Sequence, residues 1–356
     1  MPVEELTSKE RLQRLYEKKP IDRVPVTLSA GLYCAVITGT SFKDFYTDPK
    51  KAARAQSLAA DLHGNEEPAQ GGGGGGLFGN NWLLLELGGQ VEYPEGAFSL
   101  PSVTKRTLNT VQEVDKLVFP FFGEGPISSQ RIKSIEDNVA RGGKVGLQIS
   151  ITEIVGSLIG NDKMLRWYYT KPEVLHQLYR KTTDYILSVN KYNIDKFGAD
   201  KCSLMGTFPL ESQNVISPET FEKFGYIYTR EIAEQIFAAG VPRWTLHLCG
   251  NHKSTIKLWK NIPIASRTVI SIGSEMDIKD TADFFGPEYI IAGNVSTQIL
   301  QFGTPEDVYE ECRTIIEKVK YHPGGFILRP ACGLPPTTPP VNVQAMIRAA
   351  KILGRY

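Results

Sequence analysis

This chain lacks a long apolar run, an excess of either charge and a paired set of cysteines, and each absence removes a class of function. Nothing approaches the roughly 18 consecutive apolar residues of a membrane span, and Met1-Pro-Val-Glu-Glu-Leu has no charged-then-apolar export layout. Lys plus Arg (40) balance Asp plus Glu (39), a net charge of +1, so no electrostatic footprint points to nucleic acid or to an anionic membrane surface. Five cysteines in 356 residues, scattered at Cys34, Cys202, Cys249, Cys312 and Cys332, argue against a disulfide framework and leave thiols free. The expectation is a cytoplasmic protein acting on a small molecule.

Glycine is plentiful, yet the run Gly71–Gly76 lacks both the Lys-Ser/Thr ending of a phosphate loop and the spacing of a dinucleotide fingerprint. It reads as a flexible loop.

Length alone admits two average domains or one large barrel. The segment 7–17 has the cap and apolar spacing of a helix that ends by Pro20, and Arg23-Val-Pro-Val-Thr-Leu-Ser-Ala reads as a first strand. Asp48-Pro49 opens a helix, residues 64–89 are the least regular part, and 93–117 is turn-rich with short strand-like pieces. Residues 129–140 predict a helix, and Lys144-Val-Gly-Leu-Gln-Ile-Ser begins a regular beat. Helices are expected over 172–196, 217–239, 277–285, 304–320 and 340–353, with strands over 201–205, up to His247, and over 267–272, 289–292 and 325–328. Such alternation predicts parallel sheet, and the number of units favours a single closed (β/α)8 barrel over 1–356, with helical and loop additions in about the first 140 residues.

In a barrel the chemistry sits at the strand C-termini. Trp244-Thr-Leu-His247-Leu-Cys249-Gly250 and Phe326-Ile-Leu-Arg-Pro-Ala-Cys332-Gly333 both end a strand-like run in a glycine turn. Residues two apart on a strand face the same way, so His247 and Cys249 leave one backbone together. With Cys332 they make three His/Cys ligands and an open fourth position, the pattern of a catalytic zinc site. The bland alternative is three ordinary buried side chains, and position at glycine turns argues against it. Cys34, Cys202 and Cys312 have no such support and read as packing.

Two thiolates and an imidazole suit zinc to a thiolate or an alkoxide-like oxygen, and hence to alkyl transfer. Glu211 and Glu275, each just beyond a predicted strand, are the candidate catalytic acids or exchangeable fourth ligands, with solvated loop acids as the alternative. Asn294, in Gly293-Asn294-Val-Ser296, is a candidate substrate contact whose alternative is a turn with a helix cap. Tyr33, Phe78 and Trp82, with Tyr93 and Phe98, read either as a pocket wall for a flat substrate or as core filling.

The residues Arg11-Leu, Ile21-Asp-Arg23-Val-Pro25-Val, Ser217-Pro-Glu-Thr-Phe221, His247-Leu-Cys249-Gly-Asn251, Gly293-Asn-Val-Ser296, Pro330-Ala-Cys332-Gly-Leu-Pro-Pro-Thr-Thr338 and Asn342-Val resemble the uroporphyrinogen decarboxylase superfamily, and within it the zinc-dependent, corrinoid-linked methyltransferase branch. The resemblance spans nearly the whole chain and is strongest from about residue 145. It implies a TIM barrel, zinc held by His247, Cys249 and Cys332, and a corrinoid (cobalamin) carried by a partner protein. Where the decarboxylases carry an arginine-bearing segment this chain has Ser29-Ala30-Gly31-Leu32-Tyr33, which argues against porphyrinogen decarboxylation. The aromatic-rich early loops tilt the expectation towards O-demethylation of a methoxylated aromatic compound, with the methyl group passing to cob(I)alamin. The alternatives are thiol methylation of the coenzyme M type and a non-catalytic metal- or corrinoid-binding barrel. Expected partners are the corrinoid protein and a small methyl donor or acceptor, with a homodimer as one assembly.

Overall fold

The computed structural model describes residues 6–64, 78–94 and 101–356, so Gly71–Gly76 and Phe98 lie outside the described residues. Six parallel strands form one sheet in sequence order: β3 (Val145–Leu147), β4 (Cys202–Thr207), β5 (Trp244–Leu248), β6 (Val269–Ile272), β7 (Ile290–Val295) and β8 (Phe326–Pro330). Two short antiparallel strands, β1 (Gln90–Glu92) and β2 (Ser102–Lys105), pair outside it. Parallel neighbours need a crossover, and helices supply it, among them Pro172–Phe197, Ile227–Ala238, Ile278–Phe285 and Pro305–Val319. Every residue of β6, β7 and β8 is buried, which is why these strands read as near-continuous apolar runs rather than alternations.

The N-terminal segment extends the sheet on the far side of β8. Thr27 N donates to Leu328 O at 3.0 Å and Leu328 N to Pro25 O at 2.9 Å, a parallel bridge between Val26 and Leu328. Pro25 has no N–H, so the expected first strand makes a bridge and not a ladder. The chain ends meet there as well, through an antiparallel bridge between Arg23 and Arg355. This is the α/β barrel-type architecture anticipated from the alternation, although among the described residues no ladder joins the N-terminal segment to β3. No described helix is long and apolar enough to cross a membrane.

Several elements depart from the sequence expectation. The span 217–239 is a short turn of helix at Pro218–Thr220, a π-helical stretch Phe221–Tyr226, and then Ile227–Ala238. β7 continues through Gly293 and Asn294 instead of ending at Ala292, because β8 keeps pairing with it as far as Val295 opposite Pro330. Two helices, Ile151–Ile159 and Asn161–Thr170, fill the interval after β3, where none was anticipated.

Candidate metal centre

β5 delivers His247 as its penultimate residue and Cys249 immediately after its end. Gly250 then turns the chain at φ +88, a backbone that side-chain-bearing residues rarely adopt. A Cβ there would also sit 2.8 Å from Ser212 Oγ and 3.3 Å from Glu275 Oε2. Gly273, at the end of β6, approaches the same turn so closely that its Cβ would lie 2.8 Å from Gly250 N. Cys332 arrives from β8, with Ala331 N donating to Val295 O at 2.7 Å.

The three side chains predicted from far apart in the sequence converge. The ligand atoms of His247, Cys249 and Cys332 all lie within 4.8 Å of one another, and the two sulfurs are 3.6 Å apart. His247 Nδ1 lies 3.0 Å from Ser271 Oγ, whereas the buried Nε2 has no hydrogen-bond partner. A buried, unpartnered ring nitrogen beside two sulfurs is what a metal ligand looks like with its outer nitrogen already held. The sulfurs are close enough for one proton to bridge them: that contact pushes the Cys249 thiol up and, with His247, pulls the Cys332 thiol well below its ordinary value. A cation between them would replace that proton, and a donor set of two sulfurs and one nitrogen fits zinc.

Two further carboxyl groups, Glu153 and Glu211, are raised well above the ordinary value. Glu153 lies in the first turn of the helix Ile151–Ile159, and its Oε2 accepts from Thr207 Oγ1 at 2.8 Å and from Asn80 Nδ2 at 3.4 Å. Thr207 pairs in register with His247, so Glu153 stands beside the strand end that carries the imidazole. Burial pushes its carboxyl up to about 7, and the Cys332 charge adds to the effect. Glu153 was missed in the sequence, although Ser150-Ile-Thr-Glu153 is a capping-box pattern that marks a helix start. The helix starts there without the box: Ser150 Oγ accepts from Thr207 N at 3.0 Å instead. Glu211 is wholly buried, neither carboxylate oxygen has a partner, and burial followed by the Glu153 charge raises its carboxyl to about 8. Neither Glu211 nor Glu275 joins the group of three, and Glu275 is exposed, its Oε1 accepting from Asn214 Nδ2 at 3.2 Å.

The remaining candidates sit apart in their contacts. Asn294 Nδ2 donates to Gly273 O at 3.1 Å and to Met276 O at 2.9 Å, which holds the loop bearing Glu275. Tyr33 is fully buried, with its hydroxyl 2.8 Å from His63 Nε2. Trp82 is 1% exposed, with Phe122 edge-on at 5.8 Å, Tyr185 at 6.2 Å and the Arg131 guanidinium over its ring at 4.9 Å. Its helix is tied outward, since Glu86 accepts from Ile127 N, Ser128 N and Ser128 Oγ at the start of Pro126–Ala140. Phe78 is half-buried against the main core at φ +65.

The family model for uroporphyrinogen decarboxylase (URO-D) matches residues 7–353. A methylcobamide:CoM methyltransferase, MtbA, of Methanosarcina acetivorans is 26% identical over 364 residues, covering 98% of each chain. A methylated-thiol–coenzyme M methyltransferase of Methanosarcina mazei is 28% identical over 201 residues, which is 56% of this chain and 50% of that protein. A solved structure of a methyltransferase from Methanosarcina mazei superposes with a TM-score of 0.75 at 20% identity, over 98% of this chain and 99% of that one, and shows the shared fold.

Proposed function

The chain belongs to the uroporphyrinogen decarboxylase family and is an enzyme of its methyltransferase kind, and on that premise we propose that it moves a methyl group between the cobalt of a corrinoid protein and a small thiol, with zinc at His247, Cys249 and Cys332. The observation that carries this reading is the meeting of two sulfurs, 3.6 Å apart, with a partnerless buried imidazole nitrogen at a strand-end turn. Bound there, zinc would supply the Lewis acidity that makes an incoming thiol acidic at neutral pH. The chain's own residues do the rest. Ser271 orients the His247 ring, and the Gly250 and Gly273 backbones leave room for the loops to close on the sulfurs. Glu153, whose Oε2 is held by Thr207, has Oε1 to receive the thiol proton, and a carboxyl raised to about 7 is matched to that task. Glu275, on the loop that Asn294 braces, is the candidate for an exchangeable oxygen ligand.

An aryl methyl ether as methyl donor is less well supported, because Tyr33 and Trp82, the aromatics that suggested it, spend their faces on packing. The names of the similar proteins also favour a thiol. The test is to measure zinc content and then two reactions: methylcobalamin with 2-mercaptoethanesulfonate or 2-mercaptoethanol, and a reduced corrinoid protein with vanillate. Thiol methylation by protein holding about one zinc per chain, lost with the metal in Cys332→Ser, is the expected result. Ether turnover without thiol methylation would overturn the thiol reading, and full activity in the zinc-free variant would overturn the metal.

A further inference from the structure

We infer that His252, which is outside the convergent triad, is a positioning residue that fixes the direction in which the Gly250 turn presents the Cys249 sulfur; this rests on the metal reading above. His252 is fully buried three residues after Cys249, and its ring is held at both nitrogens. Trp259 Nε1, which can only donate, lies 3.1 Å from His252 Nδ1. The Cys249 carbonyl, which can only accept, lies 3.1 Å from His252 Nε2. These two contacts together assign the tautomer: Nδ1 is the bare acceptor and Nε2 carries the hydrogen that it donates to Cys249 O. Trp259 is itself locked, fully buried and stacked on Phe221 at 4.8 Å, so the ring it orients has a rigid reference. The backbone N–H of His252 points to Met276 Sδ at 3.3 Å, and Met276 O is one of the two carbonyls bound by Asn294. His252 thus links the turn after β5 to the loop after β6 and, through Asn294, to the end of β7.

A turn at positive φ beside a thiol gains little from its own side chains, since Gly250 has none. Pinning the carbonyl of Cys249 fixes the peptide plane on one side of the sulfur-bearing Cα, while Asn251 N donating to Ser212 Oγ at 3.1 Å fixes the far side of the turn. A ligand held this way meets the metal without a reorganisation cost, and loss of such outer contacts typically weakens metal binding about 10- to 100-fold.

Two substitutions divide the ring's two hydrogen bonds. In His252→Gln the amide nitrogen falls where Nε2 was and can still donate to Cys249 O. In His252→Asn the amide oxygen falls where Nδ1 was, so it can still accept from Trp259, and the carbonyl of Cys249 is abandoned. Zinc affinity is read by competition with a chromophoric chelator, and sulfur placement by the thiolate-to-metal absorption band of the Co2+-substituted protein. We expect His252→Gln to stay near wild type in both, and His252→Asn to lose about 10-fold or more in affinity with a shifted band. Equal losses in the two variants would reduce His252 to ordinary packing and overturn the inference, as would unchanged affinity in His252→Asn. Should His252→Asn fail to fold, Trp259→Phe, which leaves Nδ1 only the longer contact with Thr255 Oγ1 at 3.4 Å, is expected to weaken zinc in the same assay, and wild-type affinity there would overturn the inference. A wild-type chain with no zinc affinity would bring down the metal reading as a whole, a result distinct from those.

Discussion

His247 Nδ1 and Ser271 Oγ lie 3.0 Å apart across neighbouring strands, and this contact leaves Nε2 as the nitrogen that faces the two sulfurs. With Nδ1–H donating to the serine, the ring is both oriented and kept in the tautomer that binds through Nε2. Ser271→Ala is therefore expected to weaken zinc by about 10-fold or more while leaving the thermal midpoint nearly unchanged. Chelator competition with parallel calorimetry checks it, and an unchanged affinity would show that the serine is idle.

Gly250→Ala tests the turn. The added methyl must adopt φ +88 and share space with Ser212 Oγ, which is already bound to Asn251. A non-glycine residue in that region costs on the order of 1–3 kcal/mol, so a lower denaturant midpoint and weaker zinc are expected together. Wild-type values for both would mean that the turn relaxes freely.

Glu211 gives the protein a pH dependence whose sign follows from its raised carboxyl. Burial in the folded state holds this proton to about 8, against 4.5 for the solvent-exposed carboxyl of the unfolded chain, so between those limits the native chain binds more protons than the unfolded one. Stability from this group is therefore full at low pH and is lost as pH rises through about 8, by an amount on the order of a few kcal/mol. Glu211→Gln cannot ionise, so its chemical-denaturation stability should fall less steeply between pH 6 and pH 9 than that of wild type. A slope equal to wild type would remove Glu211 as its source.

Tyr33 and Trp82 separate pocket wall from scaffold. Tyr33→Phe leaves His63 without its 2.8 Å partner and should cost about 1 kcal/mol, and Trp82→Ala about 3–5 kcal/mol, with the KM for thiol and methylcobalamin unchanged in both. A KM that rises several-fold in folded Tyr33→Phe would return that residue to the substrate site.

The chain order of residues was enough to mark the alternating strands and helices from about residue 145, because apolar runs of strand length and capped amphipathic stretches carry their own period. It was also enough to select three candidate ligands, since His247 and Cys249 are two positions apart at the end of a strand and Cys332 follows a second such end. Their meeting within 4.8 Å was decided by the sheet: parallel registers stack β5 to β8 so that the C-terminal ends open on one mouth. Glu153 needed the same stacking, because its capping-box pattern predicts a bond back to the Ser150 backbone, whereas its Oε2 accepts from Thr207, the residue paired with His247 on the neighbouring strand. The burial of Tyr33 and Trp82, the partnerless oxygens of Glu211 and the Trp259–His252–Cys249 chain also belong to the tertiary level alone. Local sequence sets what a segment prefers to be, whereas the partner of a side chain and its distance from water depend on residues that only folding brings near.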